Sequence, residues 1–508
     1  MTLTHRTIKA GSWQLVAVVA KGVLQLLVLA VLARYVLPRE FGYIAMANMV
    51  MIFVDMFADA GIGPAIIQKE ELTEKHIRAG FFLSIILGTF FVLILWLCAP
   101  LIATFFKAES LISIIRWIAV SALITKIGIV SRSRIEREMR FDILMWIDVG
   151  SYVFGYALVG ILMAMHGSGA WAIVVGKLTQ CCLQTACLLF IRPGSLRPFI
   201  IGSEYKELLT YGGGLTLTRV FDSIASQGDY FIIGHFLGST SLGFYDRASS
   251  IMSMPGQHLN LVLDKALFPA MSQVQSQAGR LEKAYFTSTS IVSTALIPLT
   301  VLMFLIAPEI IYTLLGPNWS ASIWPFRILL LTIVCRIFIT ISDTLVRATG
   351  AVYASAVRKA ITALVIISFS WVGTFFGLKG VAIAVDIANV IGYILMIQLS
   401  KSIVRFRLKD YFKLYTHGII IGSLLLLTIL PIVTTVRQLT SSNMMFLCVV
   451  LGSSVISVLL IVSFVPSLLG ESLVGIINNT LTSLGIRVRI QLFRPVLVCE
   501  SQTNLAGE

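Results

Sequence analysis

The feature that most constrains this chain is a repeat on the scale of whole helical bundles. Gly11, Gly42 and Ala47 recur as Gly212, Gly243 and Ala248, at an offset of about 201 positions. Further on, Leu97-Cys98-Ala99-Pro100 returns as Leu305-Ile306-Ala307-Pro308, at an offset of about 208, the drift that loop insertions produce. The matched positions fall at or near the ends of long apolar segments, so the repeated unit is a set of membrane helices. Duplicated helix sets build secondary transporters, which hold substrate between the repeats.

Composition enters to fix the solvent. The chain has 508 residues, of which 57% are hydrophobic and only 13% charged. A soluble chain carries about 25% charged residues, so this deficit assigns the chain to the bilayer. The seven cysteines make no CxxC and no Cys/His ligand spacing, which argues against a metal centre or a disulfide framework. The net charge of +14 would suit nucleic acid, but no basic stripe interleaved with aromatics accompanies it. The cations gather instead at alternate loops, as membrane topology requires. His5, Arg6 and Lys9 precede an apolar stretch near residues 10–33 that is too long for a cleavable signal, so it reads as the first membrane helix.

The pattern predicts an all-α integral membrane protein with about fourteen spans, each close to the ~20 apolar residues that cross the hydrocarbon core. Residues 1–192 read as an N-terminal six-helix lobe, 193–206 as an inter-lobe linker and 207–400 as a second six-helix lobe, with a central cavity between the lobes. Residues 401–466 read as two appended helices, and 467–508 as an amphipathic tail on the membrane face. The seventh and eighth spans are interrupted by Asp229, His235, Asp246 and Arg247. Lys and Arg concentrate in the loops at 69–78, 132–140, 192–206 and 401–413. The positive-inside rule then places both termini and the Arg132–Arg140 segment in the cytoplasm.

Charges inside a bilayer need a partner, a water-filled cavity or a function. Gln14, Lys21 and Gln25 share one face of the first span, and Asn48, Asp55 and Asp59 repeat the same spacing on the second. These stripes fit either a lined cavity or a buried Lys21–Asp pair that ties the two helices together. Arg219, Asp222 and Ser226 repeat the arrangement on the seventh span. Arg336 shares a face of the tenth with Thr340, Asp343 and Arg347. Lys126, Lys177, Gln180 and Gln184 are further intramembrane polar positions, and Asp148 and Asp386 stand singly. Lys21, Arg219, Gln14, Gln25, Asn48, Ser226 and Arg336 are the candidates for substrate contact; Asp55, Asp59 and Asp222 are those for ion coupling. Catalytic and metal residues are not expected: no HExxH occurs, and Gly212-Gly213-Gly214 lacks the strand and the GK[ST] of a phosphate loop. No cofactor is implied.

Several local runs resemble the polysaccharide exporter branch of the multidrug/oligosaccharidyl-lipid/polysaccharide flippase superfamily, the Wzx-like exporters above all. They are Val31-Leu32-Ala33-Arg34 with Glu40-Phe41-Gly42, and Asp59-Ala60-Gly61-Ile62-Gly63 with Ile66-Ile67-Gln68. Leu242-Gly243-Phe244-Tyr245, Leu267-Phe268-Pro269-Ala270 and Gly316-Pro317-Asn318-Trp319 continue the match. The resemblance implies two six-helix lobes, alternating access, and a lipid-pyrophosphate-linked oligosaccharide carried across a bacterial inner membrane. Polysaccharide polymerase and chain-length proteins are the further partners expected beside membrane lipids. A multidrug or small-cation extruder of the same superfamily is the nearest alternative, and would favour an acidic, aromatic-rich cavity. A membrane polysaccharide polymerase or ligase would need a long outer loop rich in Arg and His.

Overall fold

The computed structural model describes residues 3–59, 61–69, 71–193, 223–440 and 442–464. Arg219, Asp222, most of the 193–206 linker and the 467–508 tail lie outside the described residues, as do the side chains of Gln14 and Asp59. Every regular element among the described residues is helical. Among the described residues, nine helices are long and apolar enough to cross a membrane, and a bent pair adds a tenth. This is a multi-pass membrane protein. Leu97, Leu101, Phe190 and Leu427 are strongly exposed, which suits lipid rather than water.

Packing divides the chain into two compact units, residues 1–275 with 307–405, and residues 276–306 with 406–508. The first unit begins with α1 (Leu3–Tyr35), α2 (Pro38–Asp59), the short α3 (Ile62–Gln68), α4 (Glu74–Phe105) and α5 (Leu111–Arg137). One span follows as α6 (Phe141–Ser151), a π-helical turn (Tyr152–Ala157) and α7 (Leu158–Met165), and then comes α8 (Ala170–Ile191). After α9 (223–236) come α10 (Gly238–Gln273), α12 (Ala307–Leu314), α13 (Ile323–Leu330), α14 (Ile333–Ala348), α15 (Val352–Thr374) and α16 (Gly377–Val404). The second unit holds α11 (Ala278–Leu305), α17 (Leu408–Lys413), α18 (Thr416–Leu439) and α19 (Asn443–Phe464). There, Ser293 donates its hydroxyl to the Leu414 carbonyl at 2.7 Å, and Tyr285 and Tyr411 stack at 5.8 Å.

Local chemistry explains the turns. Pro38 opens α2, where its fixed φ suits the first helical position and its missing N–H costs nothing. Glu40 reaches back to accept the Leu37 N–H at 2.9 Å, capping the same helix start. Thr73 and His76 form a reciprocal cap on α4.

The internal repeat has a direct structural expression where α2 crosses α10. A Cβ on Gly42 would lie 1.8 Å from the Ser239 carbonyl oxygen, and one on Gly243 would lie 1.9 Å from that of Pro38. Gly243 follows Gly42, and Ser239 follows Pro38, by the same offset of about 201 positions. Such exchange of equivalent contacts is the mark of two-fold symmetry. The repeat-equivalent helices α2 and α10 therefore meet here through reciprocal contacts, at a separation only glycine permits. Trp319, fully buried, sits edge-on to Phe41 at 5.3 Å and to Phe244 at 5.9 Å, and donates its indole N–H to the Ala33 carbonyl at 2.9 Å.

Candidate functional site

Beyond this crossing α1, α2, the α6–α7 span, α8 and α10 surround a cavity of about 430 Å³. Lys21 and Gln25, one turn apart on α1, enter it together because residues at i and i+4 share a helical face. Asn48 faces it from α2, below Phe41 and Ile44. Lys177 and Gln180 enter from α8, and Arg247, Ser250 and Gln257 from α10. Tyr152 and Tyr156 belong to the π-helical turn and stack at 5.2 Å in the wall. At this turn Gly155 touches the backbone of Gln180, since a Cβ there would lie 2.5 Å from the Gln180 Cα. A π-turn inserts one residue into the helical register, and such turns cluster at functional sites.

The lining is cationic. Lys21, Lys177 and Arg247 contribute positive charge, whereas no carboxylate lines the cavity among the described residues. Arg247 is held by its neighbour Asp246, whose Oδ2 accepts its Nε–H at 2.8 Å, and its guanidinium lies 4.9 Å from the Phe41 ring centre. Lys21 and Lys177 have no ion-pair partner among the described residues. Amides and hydroxyls fill the remaining polar positions, giving donors and acceptors suited to a glycan beside donors suited to an anion.

Lys21 also borders a second cavity of about 210 Å³, between α1, α5 and α6. Arg132 dominates its wall. It grips Asp148 through two bonds of 2.9 and 3.0 Å and bonds Glu136 at 3.0 Å, while Gln184 donates to Asp148 at 2.7 Å. Asp148, which stands singly in sequence, is thus the hub of a network, and Arg132 does more than mark topology. Arg137 donates to the Ile66 carbonyl at 3.0 Å and to that of Lys69, closing the end of α3. Outside the spans, Arg192 bonds Glu138 at 2.9 and 2.6 Å and holds its carboxyl below the usual carboxylate range.

The sequence candidates separate cleanly. Lys21, Gln25 and Asn48 converge on the large cavity. Asp55 does not meet Lys21; its carboxylate is 3.0 Å from the Lys126 ammonium of α5. Ser226 is exposed and donates to the Ser223 carbonyl at 3.1 Å, away from the cavity lining. Arg336 is not in that lining either; it lies among Asp229, Tyr245 and Asp386. Asp343 is 3.0 Å from Lys359 and also pairs with Arg347. Sequence reasoning did not single out Arg247, Tyr152 or Tyr156 as site residues. Arg247 carried a usable signal, being an arginine inside a span, but the tyrosines enter only through the π-turn, which no periodicity announces.

Residues 31–324 match the family model described as polysaccharide biosynthesis protein. The chain belongs to this family. It is 27% identical over 322 residues to an uncharacterized membrane protein in the cps region of Klebsiella pneumoniae, covering 63% of this chain and 66% of that protein. It is 21% identical over 356 residues to the teichuronic acid biosynthesis protein TuaB of Bacillus subtilis (69% and 72% covered). To the lipopolysaccharide biosynthesis protein WzxC of Escherichia coli it is 22% identical over 326 residues (64% and 66% covered). The alignments to the Klebsiella and Escherichia proteins thus stop just short of two thirds of those proteins' lengths. The fold is that of the lipid II flippase MurJ in its inward closed conformation, with a TM-score of 0.72 at 14% identity over 90% of this chain and 98% of that one. An inward-facing MATE family transporter of the MOP superfamily shares it at a TM-score of 0.63, with 17% identity and 76% and 94% coverage.

Proposed function

We propose that this protein is a flippase that carries lipid-linked oligosaccharide repeat units, joined to undecaprenyl through pyrophosphate, across the bacterial inner membrane for surface polysaccharide synthesis. The cation-lined cavity, with no carboxylate among its described lining residues, is the observation that carries the reading. A pyrophosphate head group cannot enter hydrocarbon without losing its hydration. Lys21, Lys177 and Arg247 replace that hydration with charge-assisted contacts, while Gln25, Asn48, Gln180 and Gln257 receive the sugar. The prenyl tail stays in lipid. An extruder of cationic drugs would meet repulsion from the same lining, so this alternative is disfavoured.

In this reading the fourteen spans form two six-helix lobes and an appended pair, with both termini in the cytoplasm. The α2–α10 glycine crossing then lies toward the periplasm, and the cavity loads from the cytoplasmic side. Arg219 and Gln14 remain proposed substrate contacts, and Asp59 and Asp222 proposed ion-coupling groups. Polymerase and chain-length proteins are the proposed partners downstream. Deletion in the native host tests the reading: surface polysaccharide should disappear and its lipid-linked unit accumulate on the cytoplasmic face. Unchanged surface polysaccharide without accumulation refutes it.

A further inference from the structure

The first unit holds a second group of buried charges, remote in character from the cavity. Asp229 of α9, Arg336 of α14 and Asp386 of α16 come together, with Arg336 acting on both carboxylates. Asp229 is fully engaged: Oδ2 accepts the Tyr245 hydroxyl at 2.6 Å and Oδ1 accepts the Tyr230 N–H at 3.0 Å. Asp386 is not. Its Oδ1 accepts the Thr332 hydroxyl, but its Oδ2 is buried without a hydrogen-bond partner among the described residues, on a residue only 7% exposed. The Arg336 Nε and the Asn389 amide nitrogen are buried and unpartnered beside it in the chain's fold. Thr332 occupies the junction at which α13 and α14 bend by 47°. Interrupted spans of this kind are where transporters place coupling ions.

Two carboxylates against one guanidinium leave a net negative charge inside the bilayer, and something must balance it. A metal ion is a poor choice, because a fixed arginine repels it. Among the described residues, moreover, no group of three His, Cys, Asp or Glu side chains could hold a metal. A proton on the unpartnered oxygen balances the charge and turns that oxygen into a donor. The other groups near Asp386 do not compete for this role. On α14, Cys335 is neutral as a thiol, and Asp343 and Arg347 pair with each other, Asp343 also with Lys359 of α15. Arg358 of α15 donates to the backbone carbonyls of Leu395 and Ala354. Arg327 of α13 and Lys379 of α16 lie against the Trp324 ring.

We propose that Asp386 is a proton-binding site, loaded at Oδ2, whose occupancy decides whether Arg336 is shared with Asp386 or released to Asp229. Loading transfers one proton from water to the carboxylate and takes the cluster from one negative charge to none. Asp229 is bonded to Tyr245, and Arg247, two residues along the same helix, lines the substrate cavity. Proton occupancy therefore reaches the cavity through α10. This deepens the flippase reading and rests on it: the proton is the driving ion, exchanged against lipid-linked substrate.

The test uses the purified full chain in lipid. Infrared spectroscopy across a pH series should show a protonated-carboxyl stretch that titrates in the wild type, is lost in Asp386→Asn and is retained in Asp55→Asn. Arg336→Gln should displace its midpoint by about tenfold or more in proton concentration, since an adjacent charge has that leverage on a carboxyl. Should Asp386→Asn fail to fold, Arg336→Gln and Thr332→Val carry the same test, because both must displace the midpoint. An identical titration in all variants overturns the proposal, as does loss of the band on adding sodium at constant pH, which would make the ligand a metal ion. In proteoliposomes a pH gradient should drive lipid-linked oligosaccharide flux in the wild type and fail to drive it in Asp386→Asn. A titrating Asp386 band in a protein that moves no such lipid supports the proton site and removes the flippase reading.

Discussion

Lys21 and Lys126 are both lysines inside apolar spans of the same unit, yet their surroundings are opposite. The Lys126 side chain is 5% exposed, lies against the helix backbone at Gly88 and makes a 3.0 Å bond to Asp55. Lys21 borders two cavities and has no ion-pair partner among the described residues. Lys126 ties α5 to α2. Lys21 presents its charge to whatever enters. An intramembrane charge by itself is therefore ambiguous, and its partner decides whether it belongs to the architecture or to the site.

Substitutions at the two lysines should break apart along this line. Lys21→Ala should lower lipid-linked oligosaccharide flux in proteoliposomes about 100-fold, the equivalent of one charged hydrogen bond of about 3 kcal/mol, while membrane yield stays normal. Lys21→Arg should keep part of the flux. A collapse of yield in Lys21→Ala would erase the distinction.

Asp55→Asn should act on folding instead. It takes a carboxylate away from a buried ammonium and should lower the Tm of the detergent-solubilised protein. Lys126→Met leaves an Asp55 side chain that is 46% exposed and can be hydrated, so its cost should be smaller, about 1 kcal/mol. The double variant Lys126→Met/Asp55→Asn should recover the Tm and retain flux. If the two single variants prove equal, Asp55 is drier than the geometry indicates and the asymmetry fails.

The smallest effect belongs to the surface pair Arg192–Glu138. Because the folded protein holds the Glu138 carboxyl below its ordinary range, the pair contributes at neutral pH and is lost as pH falls through that lowered value. Thermal unfolding followed from pH 7 downward should show a slightly weaker acid dependence in Glu138→Gln than in the wild type. Equal acid dependence would show the pair to be inert.

Much of the architecture was legible in the chain alone. The apolar segments and their repeat determined a multi-pass helical protein, and i, i+4 spacing placed Lys21 with Gln25 on one face, because helical periodicity is a local property of the backbone. The repeat even marked Gly42 and Gly243, although only the crossing of α2 and α10 showed why a Cβ is excluded there. Partner choice was not legible. Asp55 faces Lys126 rather than Lys21, Asp148 faces Arg132, and Arg336 joins Asp229 and Asp386. These pairings link helices far apart in sequence, and helix rotation and crossing set them. The tyrosines of the π-turn depend on one inserted backbone register, which Gly155 permits through its contact with Gln180. Residue type and position along each span determined which side chains are expensive in lipid; only the packing of whole helices decided which are neutralised and which are left to face a cavity.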